Sequence, residues 1–141
     1  MFSQEKKIQL QKYKTPFYFY DLELLQKTLS IINTESEKYN YHVHYAFKAN
    51  TNLKIIEVVK NNGFGADCVS GNEVKCAIEN GFKNTDIVFA GVGKSDDEIN
   101  YALEQNIFCF NCESIQELEV INELAGLKNK VAQIALRINP N

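Results

Sequence analysis

The chain has 141 residues, 45% of them hydrophobic and 23% charged, a balance that excludes disordered, fibrous and membrane-spanning classes and suits one domain. A formal charge of −3 and a pI near 5.4, with no Lys/Arg cluster interleaved with aromatics, argue against a dedicated nucleic-acid surface. Four cysteines, at 68, 76, 109 and 112, are too few and too irregular for a secreted disulfide framework, so reduced thiols are expected.

In chain order, Met1 to Leu10 carries Gln4, Glu5, Lys6 and Lys7 where a signal peptide needs an apolar core, which predicts a cytoplasmic protein. An opening strand over Pro16 to Tyr20 and a polar helix from Leu22 to Tyr39 lead into a repeated unit of strand, turn and helix. Strands are expected to begin near residues 43, 65, 87, 107 and 132. Leucine-rich repeats share this period, but their signature is absent. The intervening helices carry apolar stripes at Val74, Ala77 and Ile78, at Ile99, Ala102 and Leu103, and at Leu118, Ile121, Leu124 and Ala125, each able to cover a parallel sheet.

Ser70 with Glu73, Ser95 with Glu98 and Ser114 with Glu117 have the spacing of three capping boxes, so all six are assigned to helix starts and not to chemistry. Gly63, Gly81 and Gly126 are placed just past helix ends as left-handed caps. Residues 1–40 are thus expected to lead into a run of βα units over 41–141.

Within this frame, His42 to Lys48 alternates by two: Val43, Tyr45 and Phe47 should lie under helices, while His42, His44, Ala46 and Lys48 take the other face. A lysine ending the strand on that face is solvent-seeking, ion-paired or a functional amine. Asp67 is expected mid-strand on the neighbour, where a carboxylate needs a partner to offset its desolvation. A carboxylate beside an amine favours the charged amine and burial opposes it, the balance that a carbonyl-reactive lysine uses. Arg137 is read as a third interior charge on a later strand. Together these three aim polar groups at the carboxyl ends of a parallel sheet, where α/β sites form.

Other motifs carry less. Gly91-Val-Gly-Lys-Ser95 looks like the end of a P-loop, but the required earlier glycine is Val88, so ATP binding is set aside. Cys109-Phe-Asn-Cys112 has redox or zinc spacing, yet residues three apart on a strand face oppositely and no second pair exists, so buried thiols are expected. His42 and His44 share a face without a third ligand, and no metal site is assigned.

Five stretches, Thr15-Pro-Phe-Tyr-Phe-Tyr-Asp21, Tyr45-Ala-Phe-Lys-Ala-Asn50, Gly65-Ala-Asp-Cys-Val-Ser-Gly-Asn-Glu73, Ile87-Val-Phe-Ala-Gly-Val-Gly-Lys-Ser95 and Ala135-Leu-Arg-Ile-Asn-Pro-Asn141, occur in one order over nearly the whole chain. In them the sequence resembles the fold-type III (alanine racemase-like) pyridoxal-phosphate decarboxylases, most closely the amino-terminal part of the diaminopimelate decarboxylase family. The Gly-Val-Gly-Lys-Ser turn and the Arg-Ile-Asn-Pro ending favour it over the ornithine and arginine decarboxylases. Position 72 is Asn where relatives often have glycine, a difference expected to be harmless.

The resemblance implies an α/β fold, the first five or so βα units of a (β/α)8 barrel. It implies that Lys48 bonds covalently to pyridoxal 5'-phosphate, that Asp67 and Arg137 lie near this cofactor, and that meso-diaminopimelate is decarboxylated to L-lysine and CO2 in a homodimer. A whole barrel takes about 250 residues, and the family's later elements, including its glycine-rich phosphate loop and its carboxy-terminal β domain, have no counterpart here. The 141 residues by themselves are accordingly expected to be inactive. Two other readings are a pyridoxal-phosphate protein of the racemase type without decarboxylase activity, which lacks the Gly-Ala-Asp-Cys-Val-Ser-Gly and Gly-Lys-Ser stretches, and a half-barrel that survives by association through its open edge.

Overall fold

The computed structural model describes residues 3–138 and 140. Five parallel strands, β1 (His44–Ala46), β2 (Gly65–Cys68), β3 (Ile87–Phe89), β4 (Cys109–Cys112) and β5 (Ile134–Leu136), form one sheet in the order of the chain. Two helices precede it, α1 (Gln4–Leu10) and α2 (Leu22–Glu37). Four more alternate with the strands: α3 (Leu53–Asn61), α4 (Gly71–Glu79), α5 (Asp96–Gln105) and α6 (Ile115–Leu127). Consecutive strands are neighbours and the order never reverses, so the right-handed crossovers put α3 to α6 on the same face. Such a sheet is an arc of a βα barrel; a doubly wound sheet would reverse its strand order. Among the described residues no helix is long and apolar enough to cross a membrane.

The core lies between sheet and helices. Ala66 and Cys68 of β2, Ile87 and Phe89 of β3, and Phe110 and Cys112 of β4 pack against Ile56 and Val59 of α3, Val74 and Ala77 of α4, Ile99 and Ala102 of α5, and Ile121 and Ala125 of α6. Phe47 is fully buried and sets its ring edge-on to Phe82 at 5.3 Å, with Val43 and Tyr45 packed partly buried on the same side. The alternation expected in this stretch therefore holds. Cys109 and Cys112 are both buried, and only Cys112 belongs to the helix-facing core, so the pair divides between the two faces as strand geometry requires.

Several expectations need correcting. Residues 17–20 form no strand: they are irregular, with the Tyr18 ring almost wholly exposed, because aromatic strand propensity cannot act without a neighbouring strand to pair with. Lys48 does not end the strand; β1 stops at Ala46, and Lys48 is exposed in a 3-10 turn, Phe47–Ala49. Gly63 and Gly81 take positive φ past α3 and α4, but Gly126 lies inside α6, and Asn129 (φ 52°) makes the left-handed turn instead, as asparagine can.

Of the three expected capping boxes only Ser95 with Glu98 is reciprocal. Ser70 and Ser114 do cap, but Glu73 and Glu117 reach one residue further back and accept the N–H of Val69 and of Glu113, each at 2.8 Å. The matching stretch from 135 to 141 includes residues 139 and 141, and the polar start over 1–10 includes residues 1 and 2, all outside the described residues.

Glycine at position 65 is required by close approach: a Cβ there would stand 2.4 Å from the His44 ring and 2.5 Å from the Asp86 carbonyl oxygen. Gly65→Ala is expected to cost about 1–3 kcal/mol through overpacking, and Phe47→Ala about 3–5 kcal/mol through the cavity it leaves. Urea unfolding followed by circular dichroism checks both, and an unchanged midpoint for either would contradict the packing described here.

Candidate active-site cleft

The five strand exits converge on a cleft of about 560 Å³, lined by Lys48 after β1, Asp67 of β2 and Val69 after it, Ala90 to Val92 after β3, Asn111 of β4 and Glu113 after it, and Ala135 and Leu136 of β5 with Arg137 after them. Its size falls within the range of small-molecule sites. Its position follows from topology, because parallel strands with one-sided crossovers must all open their carboxyl ends on the same side. The lips continue the sheet ladder: Ala90 donates its N–H to the Cys68 carbonyl at 2.7 Å, and Arg137 donates its own to the Cys112 carbonyl at 2.9 Å.

Lys48, Asp67 and Arg137, the three residues singled out in the sequence, all line this one cleft. Asp67 pairs in register with Ala46, two residues before Lys48, and the Lys48 charge is near enough to act on the Asp67 carboxyl. Asp67 Oδ1 is buried and accepts no hydrogen bond. Burial pushes the Asp67 carboxyl above its usual range, against the opposing pull of Lys48 and His44. Burial likewise holds His44 below the ordinary histidine value, and its Nε2 also lacks a partner. Arg137 departs from expectation: it is not interior, since its side chain is 58% exposed beyond β5, and it reaches back to Glu113 Oε1 at 3.2 Å.

Glu113 is the residue that sequence reasoning missed. Its side chain is only 10% exposed, and it accepts hydrogen bonds from Arg137 and, at 3.3 Å, from the backbone N–H of Gly91. A detectable signal existed in an acid directly ahead of the Ser114 cap at a strand exit, but nothing local pairs it with an arginine 24 residues later.

The Gly-Val-Gly-Lys-Ser turn serves a different end from a P-loop. Lys94 folds inward, 1% exposed, and donates to the Gly91 carbonyl at 2.8 Å, to the Asn111 carbonyl at 3.0 Å and to Glu117, while sitting 5.3 Å over the Phe89 ring. Gly91 takes φ +99°, and a Cβ there would meet the Val69 carbonyl oxygen at 3.1 Å, so the turn passes close to the β2 exit. Away from the cleft, His42 approaches Asp86 at 3.7 Å and meets His44 edge-on. Among the described residues no three His, Cys, Asp or Glu side chains are gathered as metal ligands. Burial raises the Cys109 and Cys112 thiols above their ordinary value, as inert structural cysteines require.

A one-sided arc of parallel βα units with a charged cleft at its carboxyl ends defines the class of βα-barrel proteins. Residues 24–141 match the family described as the pyridoxal-dependent decarboxylase, pyridoxal binding domain, and the chain belongs to that family. It is 59% identical over 129 residues to the diaminopimelate decarboxylase of Bacteroides thetaiotaomicron, an alignment that takes in 91% of this chain and 33% of the relative. The crystal structure of diaminopimelate decarboxylase from Helicobacter pylori complexed with L-lysine superposes with a TM-score of 0.86 at 42% identity, covering 96% of this chain and 34% of that one. The arginine decarboxylase of Paramecium bursaria Chlorella virus, at 24% identity and a TM-score of 0.68, shares the fold alone. The chain spans about a third of the length of the relatives it matches.

Asp67 binds more protons in the folded chain than in the unfolded one between its ordinary value of 3.8 and its raised value, so its contribution to stability is lost as pH rises through the raised value. Asp67→Asn, which removes the desolvated charge, is therefore expected to raise the melting temperature of the ligand-free protein at about pH 7 and to make little difference at about pH 3. Melting curves at the two pH values read the difference; a destabilised Asn variant at neutral pH would mean that the Lys48 attraction outweighs burial.

Proposed function

We propose that the cleft holds pyridoxal 5'-phosphate through Lys48, with Asp67 and Arg137 beside it, and that the protein carrying these residues decarboxylates meso-diaminopimelate to L-lysine. The observation that carries the reading is the meeting of an exposed primary amine, a half-buried carboxylate with one buried, unused oxygen, and a guanidinium in one cleft of suitable size, within a chain of the pyridoxal-binding family. The donor set suits the group: an amine for its aldehyde, a carboxylate as counter-charge to that amine, and a guanidinium for an anionic substituent. When bound, pyridoxal phosphate supplies a carbonyl that bonds to amines and a ring that accepts the electron pair released with CO2.

The chain's own residues do the holding. Lys48, on a turn between β1 and α3, can reach into the cleft and withdraw without disturbing the sheet. Asp67 keeps a negative charge, or a proton, next to that amine in a partly dry setting where either is felt strongly. Arg137, tethered to Glu113 at one nitrogen, retains further N–H donors for an anion.

The substrate rests on the relatives: at 59% and 42% identity they are diaminopimelate decarboxylases, one of them solved with L-lysine, whereas the arginine decarboxylase likeness extends to fold only. Residues 41–141 are proposed to act as the cofactor-bearing portion of a βα barrel and residues 1–40 as its lead-in. A homodimer and a cytoplasmic location belong to the same proposal.

The test is to incubate the protein with pyridoxal phosphate, reduce with borohydride and map the adduct by peptide mass. A single pyridoxyl-lysine at Lys48, abolished in Lys48→Ala while the fold persists by circular dichroism, is expected. Labelling spread over several lysines, or none, would sink the assignment. For the reaction, the protein at its natural length is expected to release CO2 and lysine from meso-diaminopimelate, and none in Lys48→Ala.

A further inference from the structure

Lys94 and Glu117 form an ion pair that is almost entirely removed from water, with side chains 1% and 13% exposed. Burying an ammonium and a carboxylate is costly, and a well-packed apolar pair would often serve stability as well or better. The partners of the pair show what it organises. Each proton of the Lys94 ammonium can be matched: one acceptor is the Gly91 carbonyl after β3, another is the Asn111 carbonyl in β4, and the third is Glu117 at the start of α6. The second carboxylate oxygen of Glu117 accepts the N–H of Glu113. Glu113 in turn accepts from the Gly91 N–H and from Arg137.

These bonds close a ring. Gly91 is held at its carbonyl by Lys94 and at its N–H by Glu113, and Glu113 is held at its own N–H by Glu117. Gly91, Asn111, Glu113 and Arg137 all line the cleft, while Lys94 and Glu117 do not. We infer that the buried Lys94–Glu117 pair is the positioning element of the cleft, setting the backbone of Gly91 and Glu113 and, through the Glu113 carboxylate, aiming Arg137 at an anionic ligand. The inference rests on the cofactor reading given above and deepens it: Lys94, Glu117 and Glu113 are assigned to orienting the guanidinium, and none of them to the chemistry.

The design separates the two roles by neutralising the pair without leaving half of it. On the protein at its natural length, the dissociation constant for pyridoxal phosphate and the urea unfolding midpoint are measured for wild type, Lys94→Met, Glu117→Gln and the double variant. Either single variant strands a buried charge and is expected to lower the midpoint. The double variant is expected to recover much of that loss while the dissociation constant stays about tenfold raised, equivalent to about 1.4 kcal/mol. Arg137→Gln is expected to weaken binding about tenfold in the wild-type background, and to cost little more in the double variant, because the arginine is then already misdirected.

A double variant whose affinity returns to wild type along with its stability would overturn the inference and leave the pair a structural one. Should the double variant fail to fold, Glu113→Gln reads the same link. Weakened binding supports positioning, whereas unchanged binding, or the tightening that mere loss of a negative charge near an anion would give, overturns it. Wild-type protein that acquires no pyridoxyl group on Lys48 brings down the cofactor reading and this inference with it; normal labelling with indifferent variants removes this inference alone.

Discussion

Parallel strands can be joined only by crossovers, and in this chain every crossover passes over the same face of the sheet. From that constraint the rest follows. One face of each strand must be apolar to receive the helices, which is why Ala66, Cys68, Ile87, Phe89, Phe110 and Cys112 are buried there. The opposite face is free to carry Asp67 and Asn111, and all strand exits lie at one end, where Lys48, Gly91, Glu113 and Arg137 meet without being near one another in sequence.

A strand exit is also a helix entrance, and both leave backbone groups unpaired. Serine side chains satisfy the helix side at Ser70, Ser95 and Ser114. Two glutamates reach past the cap to the strand side, tying down Val69 and Glu113, which are cleft residues. Helix capping and cleft construction are thus one set of hydrogen bonds, and assigning such glutamates to structure alone understates what they hold. At the β3 exit the glutamate comes from the neighbouring strand's exit: Glu113 accepts the Gly91 N–H, while Lys94 donates to the Gly91 carbonyl.

The arc has two edges, and they differ. β1 is half-buried at all three residues, and Phe47 just beyond it packs against Phe82. β5 is exposed at all three residues, with Ile134, Leu136 and Ile138 open on the edge beyond α6. An unpaired parallel strand bearing apolar side chains is a surface that polypeptide chains pair with. The Helicobacter pylori relative, about three times as long, shares this arc at a TM-score of 0.86.

Local signals in the sequence determined the βα period, the helix starts, the apolar faces and the inert placement of Cys109 and Cys112, because capping, periodicity and alternation are interactions between residues a few positions apart. Lys48, Asp67 and Arg137 were legible as charges in places that an apolar sheet would not choose. Only the tertiary structure decided the rest. Residues 17–20 lost their strand for want of a partner, and Asn129 displaced Gly126 as the left-handed residue because α6 ran one turn further than its glycine suggested. Arg137 became a tethered, exposed arm through Glu113, and Lys94, which looked like part of a phosphate loop, turned inward to Glu117. The last two depend on which chain segment lies alongside, over separations of 17 to 24 residues. Desolvation and pairing over such distances are properties of the packed molecule and leave no local mark on the sequence.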